Sequence, residues 1–190
     1  MNIGLYFGSF NPIHIGHLII ANHVVTHTDL KQVWLVLSPQ NPLKPSSVLL
    51  NEYHRLYLVK KAIEDNQHLK ASDIEFKLPK PSYTIDTLTY LKEKYPKHTF
   101  TVIMGSDSFT NLKNWKNYQL ILRDYDIVIY NRPGFEVKRE DITDRIKILN
   151  APLLEISATA IRKNIKEGKS IQYLVSEVVH TEISNTGYYK

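Results

Sequence analysis

Two histidines near the start of the chain are the residues best placed to do chemistry. His14 and His17 stand three residues apart in a turn punctuated by glycine and proline. An apolar run over 3–7 precedes the turn, and an amphipathic run over 18–25 follows it. A buried strand that ends in such a turn brings the start of a helix to the carboxyl edge of a parallel sheet, where free N–H groups and the helix dipole favour an anion. Because an imidazole can donate a hydrogen bond to a phosphoryl oxygen, the pattern predicts a phosphate site.

The residues around the two histidines decide between a site and an ordinary helix start. A lone pair of histidines at this spacing is more often a solvated pair on the first turn. Gly8, Pro12 and Gly16 at these offsets, directly after a strand, make a much rarer combination. Gly16 also removes the side chain that would block a ligand from approaching the imidazoles. The combination therefore favours a binding site.

Strand and helix patterns alternate to the end of the chain and predict an α/β fold with a parallel sheet and right-handed crossovers. We expect one domain over 1–190 with a small helical end. The predicted strands cover 2–7, 32–38, 72–78, 99–105, 126–131 and 153–156. The predicted helices cover 17–27, 52–66, 84–95, 108–123, 159–167 and 176–184. Asn51 is the expected N-cap of the second helix and Gly168 the expected C-cap of the fifth.

Two further segments are predicted to reach the sheet edge that carries the histidines. The loop over 39–50 follows the second strand and contains Lys44, which can act as a mobile phosphate clamp or be a solvated surface lysine. The segment over 156–162 combines a strand end, the hydroxyls of Ser157 and Thr159, and Arg162 one turn into a helix. Like the first turn, this segment brings a helix start with hydrogen-bond donors to the sheet edge. The same residues are also typical of an ordinary helix cap followed by a solvated arginine.

Composition restricts the class of protein. The 190 residues are enough for a sizeable core, and no apolar stretch is long enough to cross a bilayer, so no membrane partner is expected. The absence of cysteine excludes disulfides and thiolate zinc sites. With a strand pattern at the N-terminus instead of a leader, we expect a cytoplasmic protein. The net charge of +5 comes from scattered basic residues mixed with acidic ones, so no nucleic-acid partner is expected.

The two phosphate-like segments resemble the nucleotidylyltransferase superfamily. The stretch over 8–17 matches its G-x-F-x-P-x-H-x-G-H signature, and 156–162 is similar to its I-S-S-T-x-I-R element, with Ala158 in place of the second serine. The resemblance implies a Rossmann-like, doubly wound parallel sheet in three layers. It also implies transfer of a nucleotidyl group from a triphosphate to a phosphorylated acceptor. Class I aminoacyl-tRNA synthetases share the short form of the signature, but this chain is too small and has no Lys-Met-Ser-Lys-Ser-like loop.

The middle of the chain resembles one member of that superfamily, the bacterial nicotinate-nucleotide adenylyltransferases. The segment over 81–88 matches their S-Y-T-x-x-T-L element. Further matches are spread over nearly the whole chain: Pro39, Asn41, Pro42, Lys44, Arg55, Gly105, Ser106, Asp107, Trp115, Arg132 and Pro133. Val175 and His180 depart from the family pattern. We expect these departures to lie outside the phosphate elements and to affect helix geometry or subunit contacts.

The resemblance implies transfer of AMP from ATP to nicotinate mononucleotide, giving deamido-NAD and pyrophosphate by direct in-line attack without a covalent enzyme intermediate. The implied catalytic residues are His14, His17, Lys44 and Arg162. The implied ATP contacts are Gly8, Ser9, Phe10, His14, Gly16, His17, Gly105, Asp107, Ile156, Ser157, Thr159 and Arg162. The implied acceptor contacts are Lys44, Ser82, Tyr83, Thr84, Thr87, Asp107, Trp115, Lys116 and Arg132. In this hypothesis Trp115 stacks on the nicotinate ring, and backbone N–H groups near Thr84 and Lys116 bind its carboxylate.

Mg²⁺ is expected to arrive with ATP, and no metal site of the protein's own is predicted. Two alternatives stay open. A pantetheine-phosphate adenylyltransferase has a similar first motif, although its members look shorter and lack the Ser-Tyr-Thr segment with the tryptophan. A nucleotide-binding sensor without turnover belongs to another class, and the two intact histidines argue against it. The sequence leaves the oligomeric state open, a homo-oligomer included.

Overall fold

A computed structural model describes residues 1–40, 49–152 and 154–190. Six strands form one sheet in the order β3-β2-β1-β4-β5-β6, and each neighbouring pair is parallel. The strands are β1 (Asn2–Gly8), β2 (Gln32–Leu37), β3 (Leu69–Ser72), β4 (Thr99–Gly105), β5 (Asp126–Tyr130) and β6 (Ile146–Leu149). The predicted α/β parallel sheet is confirmed. Its strand order reverses between β1 and β4, which is the position where ligands bind in sheets of this kind.

Helices cover both faces of the sheet. They are α1 (Ile15–His27), α2 (Glu52–Ala62), α3 (Thr84–Lys94), α4 (Ser106–Thr110), α5 (Tyr118–Asp124), α6 (Ala158–Lys166) and α7 (Glu177–Thr186). Helices α1, α2, α6 and α7 contribute to one hydrophobic cluster, and α3, α4 and α5 contribute to the other. Along β1, Leu5 belongs to the second cluster and Tyr6 to the first, because successive strand residues point to opposite faces. The result is the expected three-layer, Rossmann-like arrangement.

Two predicted strands are wrong in position. The segment predicted as a strand over 72–78 is strand only as far as Ser72, where β3 ends, and a 3₁₀ helix (Ile74–Lys77) follows. Among the described residues the last strand is β6, which ends before the predicted 153–156 begins. Leu154 is about half exposed, so its apolar character does not mark a buried strand. A short apolar run is compatible with a strand, a helix or a loop, and tertiary packing determines which of these it forms.

One predicted helix is broken. The segment predicted as a single helix over 108–123 forms α4, a 3₁₀ turn (Leu112–Asn114) and α5. The backbone of Trp115 is extended, and that of Asn117 is left-handed with φ of 49°. The chain therefore changes direction between the two helices. The second helix also ends at Ala62, earlier than predicted.

Both predicted helix caps are found. The Asn51 side chain accepts a hydrogen bond of 2.9 Å from the Tyr53 N–H and caps α2. Gly168 follows α6 with φ of 67°, a conformation that favours glycine, and its N–H donates to the Ile165 carbonyl. Within the ranges that the structure describes, no helix has the length and apolar character needed to cross a membrane.

Candidate active site

A cavity of about 440 Å³ lies at the carboxyl ends of β1, β4 and β5. It brings together most of the residues predicted to bind ATP. Those that line it are Gly8, Ser9, Phe10, His14, His17, Asp107, Ile156, Ser157, Thr159 and Arg162. Of the residues predicted to bind the acceptor, Asp107 and Arg132 also line it. Residues that are far apart in the sequence therefore meet at the strand-order reversal.

The two histidines stack on each other at the start of α1. Their ring centroids are 3.6 Å apart with an interplanar angle of 24°. The backbone N–H of His14 donates a 3.3 Å hydrogen bond to Nδ1 of the His17 ring. A neutral His17 whose Nδ1 accepts this bond carries its proton on Nε2, so it can donate a hydrogen bond from there. Phe10 packs edge-on against the His17 ring, with centroids 5.1 Å apart, and helps to fix its orientation.

Two glycines make room for this arrangement. A Cβ at Gly16 would lie 3.2 Å from the His14 ring, so the missing side chain gives space to the imidazole itself. A Cβ at Gly8 would lie 2.8 Å from the ring of Phe10, which occupies a left-handed conformation with φ of 43°. The sequence predicts that Gly16 gives a ligand access to the imidazoles, whereas in the structure the atoms nearest to its missing side chain belong to His14.

Burial changes the protonation of His14. The residue is 6% exposed, and its Nδ1 is buried with no hydrogen-bond partner in the part of the chain that the structure describes. Desolvation, with a further contribution from the positive charge of Arg132, lowers the pKa of His14 to about 4. At neutral pH this imidazole is uncharged and is a hydrogen-bond donor rather than a cation.

The lowered pKa of His14 predicts a pH dependence of stability. The unfolded state, with a histidine pKa near 6.5, binds more protons than the folded state between about pH 4 and 6.5. The contribution of His14 is therefore fully present above about pH 6.5 and is lost as the pH falls toward 4. We expect urea unfolding of wild type and His14→Gln to show wild type losing about 2–3 kcal/mol relative to the variant between pH 7.5 and 4. A pH-independent difference between the two would contradict this assignment.

Arg162 joins the C-terminal segment to the histidine turn. Its Nη1 donates a 2.7 Å hydrogen bond to the Asn11 carbonyl, and its Nη2 donates one of 3.3 Å to Oγ1 of Thr159. Ser157 is the N-cap of α6, and its hydroxyl accepts a 3.1 Å hydrogen bond from the Ala160 N–H. Ala158 stands where the family signature has a second serine, so this position can offer backbone groups but no hydroxyl. The start of α6 therefore faces the same cavity as the start of α1.

Val175, which departs from the family pattern, does not line the cavity but is next to a residue that holds the start of α1. The neighbouring Leu174 carbonyl accepts a 3.0 Å hydrogen bond from the N–H of Ile15, the first residue of α1. Val175 itself is buried in the core against the same layer of helices. The turn around Tyr173, which is left-handed with φ of 67°, therefore helps to hold the helix that carries His17.

The far side of the cavity is charged and aromatic. The Arg132 guanidinium lies 3.5 Å from the Asp107 carboxylate and 5.6 Å from the ring centroid of Tyr130. The Tyr130 and Tyr6 hydroxyls are 3.2 Å apart, and burial raises the pKa of Tyr6. Both tyrosines line the cavity and were not predicted. A Cβ at Gly105 would collide with the Asp107 carboxylate and lie 3.1 Å from the Tyr130 ring, so a larger residue there would displace the Asp107 side chain.

Most of the predicted acceptor contacts lie outside this cavity, around the start of α3. The hydroxyls of Ser82 and Thr87 are buried and donate to the Glu75 carboxylate at 2.6 and 2.9 Å. Burial raises the pKa of Glu75, although these hydrogen bonds oppose the shift. The structure thus gives the two predicted hydroxyls a protein partner. Glu75 had no signal in the sequence beyond an acidic residue inside an apolar segment.

Tyr83, Thr84 and Lys116, which are also predicted to bind the acceptor, lie at the same helix start. The Lys116 ammonium pairs with Asp86 at 2.8 Å and lies 4.9 Å from the ring centroid of Tyr83. Trp115 is half-buried and packs against the hydrophobic cluster on this face of the sheet, as Tyr83 does. Helix α3 begins at Thr84 without a side-chain cap, which leaves backbone donors at its start.

Lys44, Asn41 and Pro42 lie outside the described residues. The two ends of that loop are held by Arg55, which is 1% exposed. In the sequence Arg55 is only a match to a family pattern, because an arginine inside a helix gives no sign that it will be buried.

Across residues 1–40, 49–152 and 154–190, no three His, Cys, Asp or Glu side chains are grouped to hold an ion. Asp107 is the carboxylate that lines the cavity within these ranges.

Comparisons with known proteins show the family to which the chain belongs. Residues 5–164 match the cytidylyltransferase-like family. The chain is 50% identical to the probable nicotinate-nucleotide adenylyltransferase of Flavobacterium johnsoniae, with 100% of both chains covered. It is 51% identical to the probable nicotinate-nucleotide adenylyltransferase of Cytophaga hutchinsonii, with 100% of this chain and 98% of that one covered. The chain belongs to the nicotinate-nucleotide adenylyltransferase family.

A solved structure supports the fold of this family member. The nicotinic acid mononucleotide adenylyltransferase of Plasmodium falciparum, complexed with NaAD, matches with a TM-score of 0.85 at 21% identity and covers 99% of this chain and 97% of that one. The same Plasmodium protein complexed with APC matches with a TM-score of 0.84. As a nicotinate-nucleotide adenylyltransferase family member, the chain is a nucleotidyltransferase with a Rossmann-like fold, as predicted.

Proposed function

We propose that this protein transfers AMP from ATP to nicotinate mononucleotide, releasing pyrophosphate and forming deamido-NAD. One observation carries the phosphate side of the proposal. Arg162 donates to the Asn11 carbonyl at 2.7 Å, so the start of α6 and the turn before His14 form one wall of donors. Two helix starts, two imidazoles and a guanidinium face a single cavity, and this combination fits a polyphosphate.

The reaction needs positioning more than proton transfer. The 5′-phosphate of the acceptor is already an anionic nucleophile, so it can attack the α-phosphorus of ATP in line without a general base. The bond from phosphate oxygen to the α-phosphorus forms while the bond to the pyrophosphate oxygen breaks, and no enzyme-bound intermediate is required. His14 and His17 hold the α-phosphate and the leaving oxygens as hydrogen-bond donors. Ser157, Thr159 and Arg162 hold the pyrophosphate.

Lys44 completes the phosphate clamp in this proposal, and Asp107 orients a ribose or a nearby water molecule. We expect Mg²⁺ to enter the site bound to the phosphates of ATP. Mg²⁺ keeps several waters and binds through substrate phosphates, so it does not need a cage of protein carboxylates. When bound, it neutralises charge on the phosphates. Asp107 is the cavity residue best suited to contact its hydration shell.

The acceptor side is proposed to lie at the start of α3. Backbone donors at Thr84 and near Lys116 bind the nicotinate carboxylate, and the half-buried Trp115 stacks on the ring. A relative that is 50% identical to this chain over the full length of both carries the name of a probable nicotinate-nucleotide adenylyltransferase, and this supports nicotinate mononucleotide as the acceptor. A carboxamide lacks the negative charge that these donors stabilise, so the acid is preferred over the amide.

The test is pyrophosphate release with ATP and Mg²⁺ and one of three acceptors: nicotinate mononucleotide, nicotinamide mononucleotide or phosphopantetheine. We expect turnover with the first acceptor and kcat/KM at least about tenfold lower with the second, because one charge-assisted hydrogen bond is lost. Preference for phosphopantetheine would overturn the acceptor but not the reaction type. Stoichiometric ATP binding without pyrophosphate release from any acceptor would overturn the enzymatic proposal.

A further inference from the structure

A buried carboxylate contacts the start of α3. Glu75 sits in the 3₁₀ helix that follows β3 and is 2% exposed. Its two oxygens accept hydrogen bonds from Ser82 at 2.6 Å and Thr87 at 2.9 Å, and the Ser38 hydroxyl is a third partner. Burying a carboxylate is costly unless it is well hydrogen-bonded, and these three hydroxyls offset that cost.

The partners of Glu75 hold both sides of one helix start. Ser82 precedes the N-cap residue Tyr83, and Thr87 lies in the first turn of α3. The N-cap offers no side-chain hydrogen bond of its own to this helix. Because the same carboxylate binds before and after the cap, it fixes the direction in which the first N–H groups of α3 point.

Ser38, the third partner of Glu75, also contacts the end of β1. Its N–H donates to the Gly8 carbonyl at 2.9 Å, and its own carbonyl accepts from Arg55 at 3.0 Å. The backbone of Ser38 is therefore anchored independently of Glu75. Removing the carboxylate should release α3 while the turn after β1 stays in place.

From this geometry we infer that Glu75 is a positioning residue for the acceptor, which sets the start of α3 through Ser82 and Thr87 without contacting the substrate. The inference rests on the proposed function and deepens its acceptor side. It also changes the role of two predicted contacts, since Ser82 and Thr87 act through Glu75 instead of binding nicotinate mononucleotide directly.

The test is a set of steady-state measurements on Glu75→Gln, which keeps the size of the side chain and removes its charge. We expect KM for nicotinate mononucleotide to rise about tenfold or more, because hydrogen bonds to a charged acceptor are weakened. KM for ATP should stay within about twofold. Glu93→Gln, an exposed glutamate of α3, is the matched control and should leave both values unchanged.

Thermal shift with single ligands separates positioning from general loss of stability. ATP should raise the midpoint of Glu75→Gln as much as it raises that of wild type, whereas nicotinate mononucleotide should raise it less. If Glu75→Gln is merely destabilised, both ligands and both KM values will change in parallel, and the inference is wrong. If wild type fails to turn over nicotinate mononucleotide, the proposed function fails instead.

A double-mutant cycle decides whether Ser82 acts through Glu75. We expect Ser82→Ala to raise KM for the acceptor in wild type but to add less than about twofold in Glu75→Gln. Multiplying effects would mean that the Ser82 hydroxyl contacts the substrate, against the inference. If Glu75→Gln does not fold, Ser82→Ala and Thr87→Val carry the test, and unchanged acceptor KM in both would overturn the inference.

Discussion

Replacing His17 with alanine is expected to lower kcat for pyrophosphate release about 10²–10³-fold, the loss typical of one well-aimed donor to developing charge. The side chain lines the cavity, and its Nδ1 accepts from the His14 N–H, so the proton of the neutral ring lies on Nε2. A donor held in this way stabilises charge that grows on the phosphate oxygens during transfer. Steady-state kinetics with ATP and nicotinate mononucleotide measure the loss.

The matched control for this prediction is His27→Ala at the exposed end of the same helix. It removes an imidazole from α1 without touching the cavity, and its kcat should stay within about twofold of wild type. His17→Ala should still bind ATP, because Arg162 and the start of α6 remain. A loss below about fivefold, or one that matches the loss in His27→Ala, would show that His17 does not act on the transition state.

Replacing Arg55 with alanine is expected to reduce the free energy of unfolding by at least about 3 kcal/mol, since hydrogen bonds from a charged donor are worth about 1.5–3 kcal/mol each. The guanidinium donates to the carbonyls of Leu50 at 2.7 Å, Ser9 at 2.6 Å, Ser38 at 3.0 Å and Pro39 at 2.9 Å. Without it these carbonyls are left unpaired around a new cavity. Urea unfolding followed by circular dichroism measures the change.

Arg55→Lys should recover little of that stability, because an ammonium cannot reproduce the planar fork that reaches four carbonyls. Arg123→Ala is the control: this exposed arginine contacts the adjacent Asp124, and its loss should cost less than about 1 kcal/mol. If Arg55→Lys unfolds at the same urea concentration as wild type, the guanidinium geometry is not what holds the loop ends. The prediction for Arg55 does not depend on the proposed reaction.

Local patterns in the sequence were enough to predict where the two histidines lie in the fold. The strand, turn and helix that carry His14 and His17 are contiguous, so the position of both imidazoles at the carboxyl edge of the sheet follows from residues that are neighbours in the chain. The parallel sheet followed from the alternation of strand and helix patterns, and the cap at Asn51 from its residue type. The predicted strand over 153–156 failed because a short apolar run does not say whether its residues will be buried.

Only the tertiary structure decided which groups bind each other across the chain. Hydroxyls at Ser82 and Thr87 are equally able to bind a substrate or a protein group, and the packing of the 3₁₀ helix at Ile74–Lys77 gave them to Glu75. Arg162 meets Asn11 although 151 residues separate them. The sequence determines where donors and acceptors occur and which local turns present them. Their partners depend on distances through space, which the fold sets by bringing strand ends together at one edge.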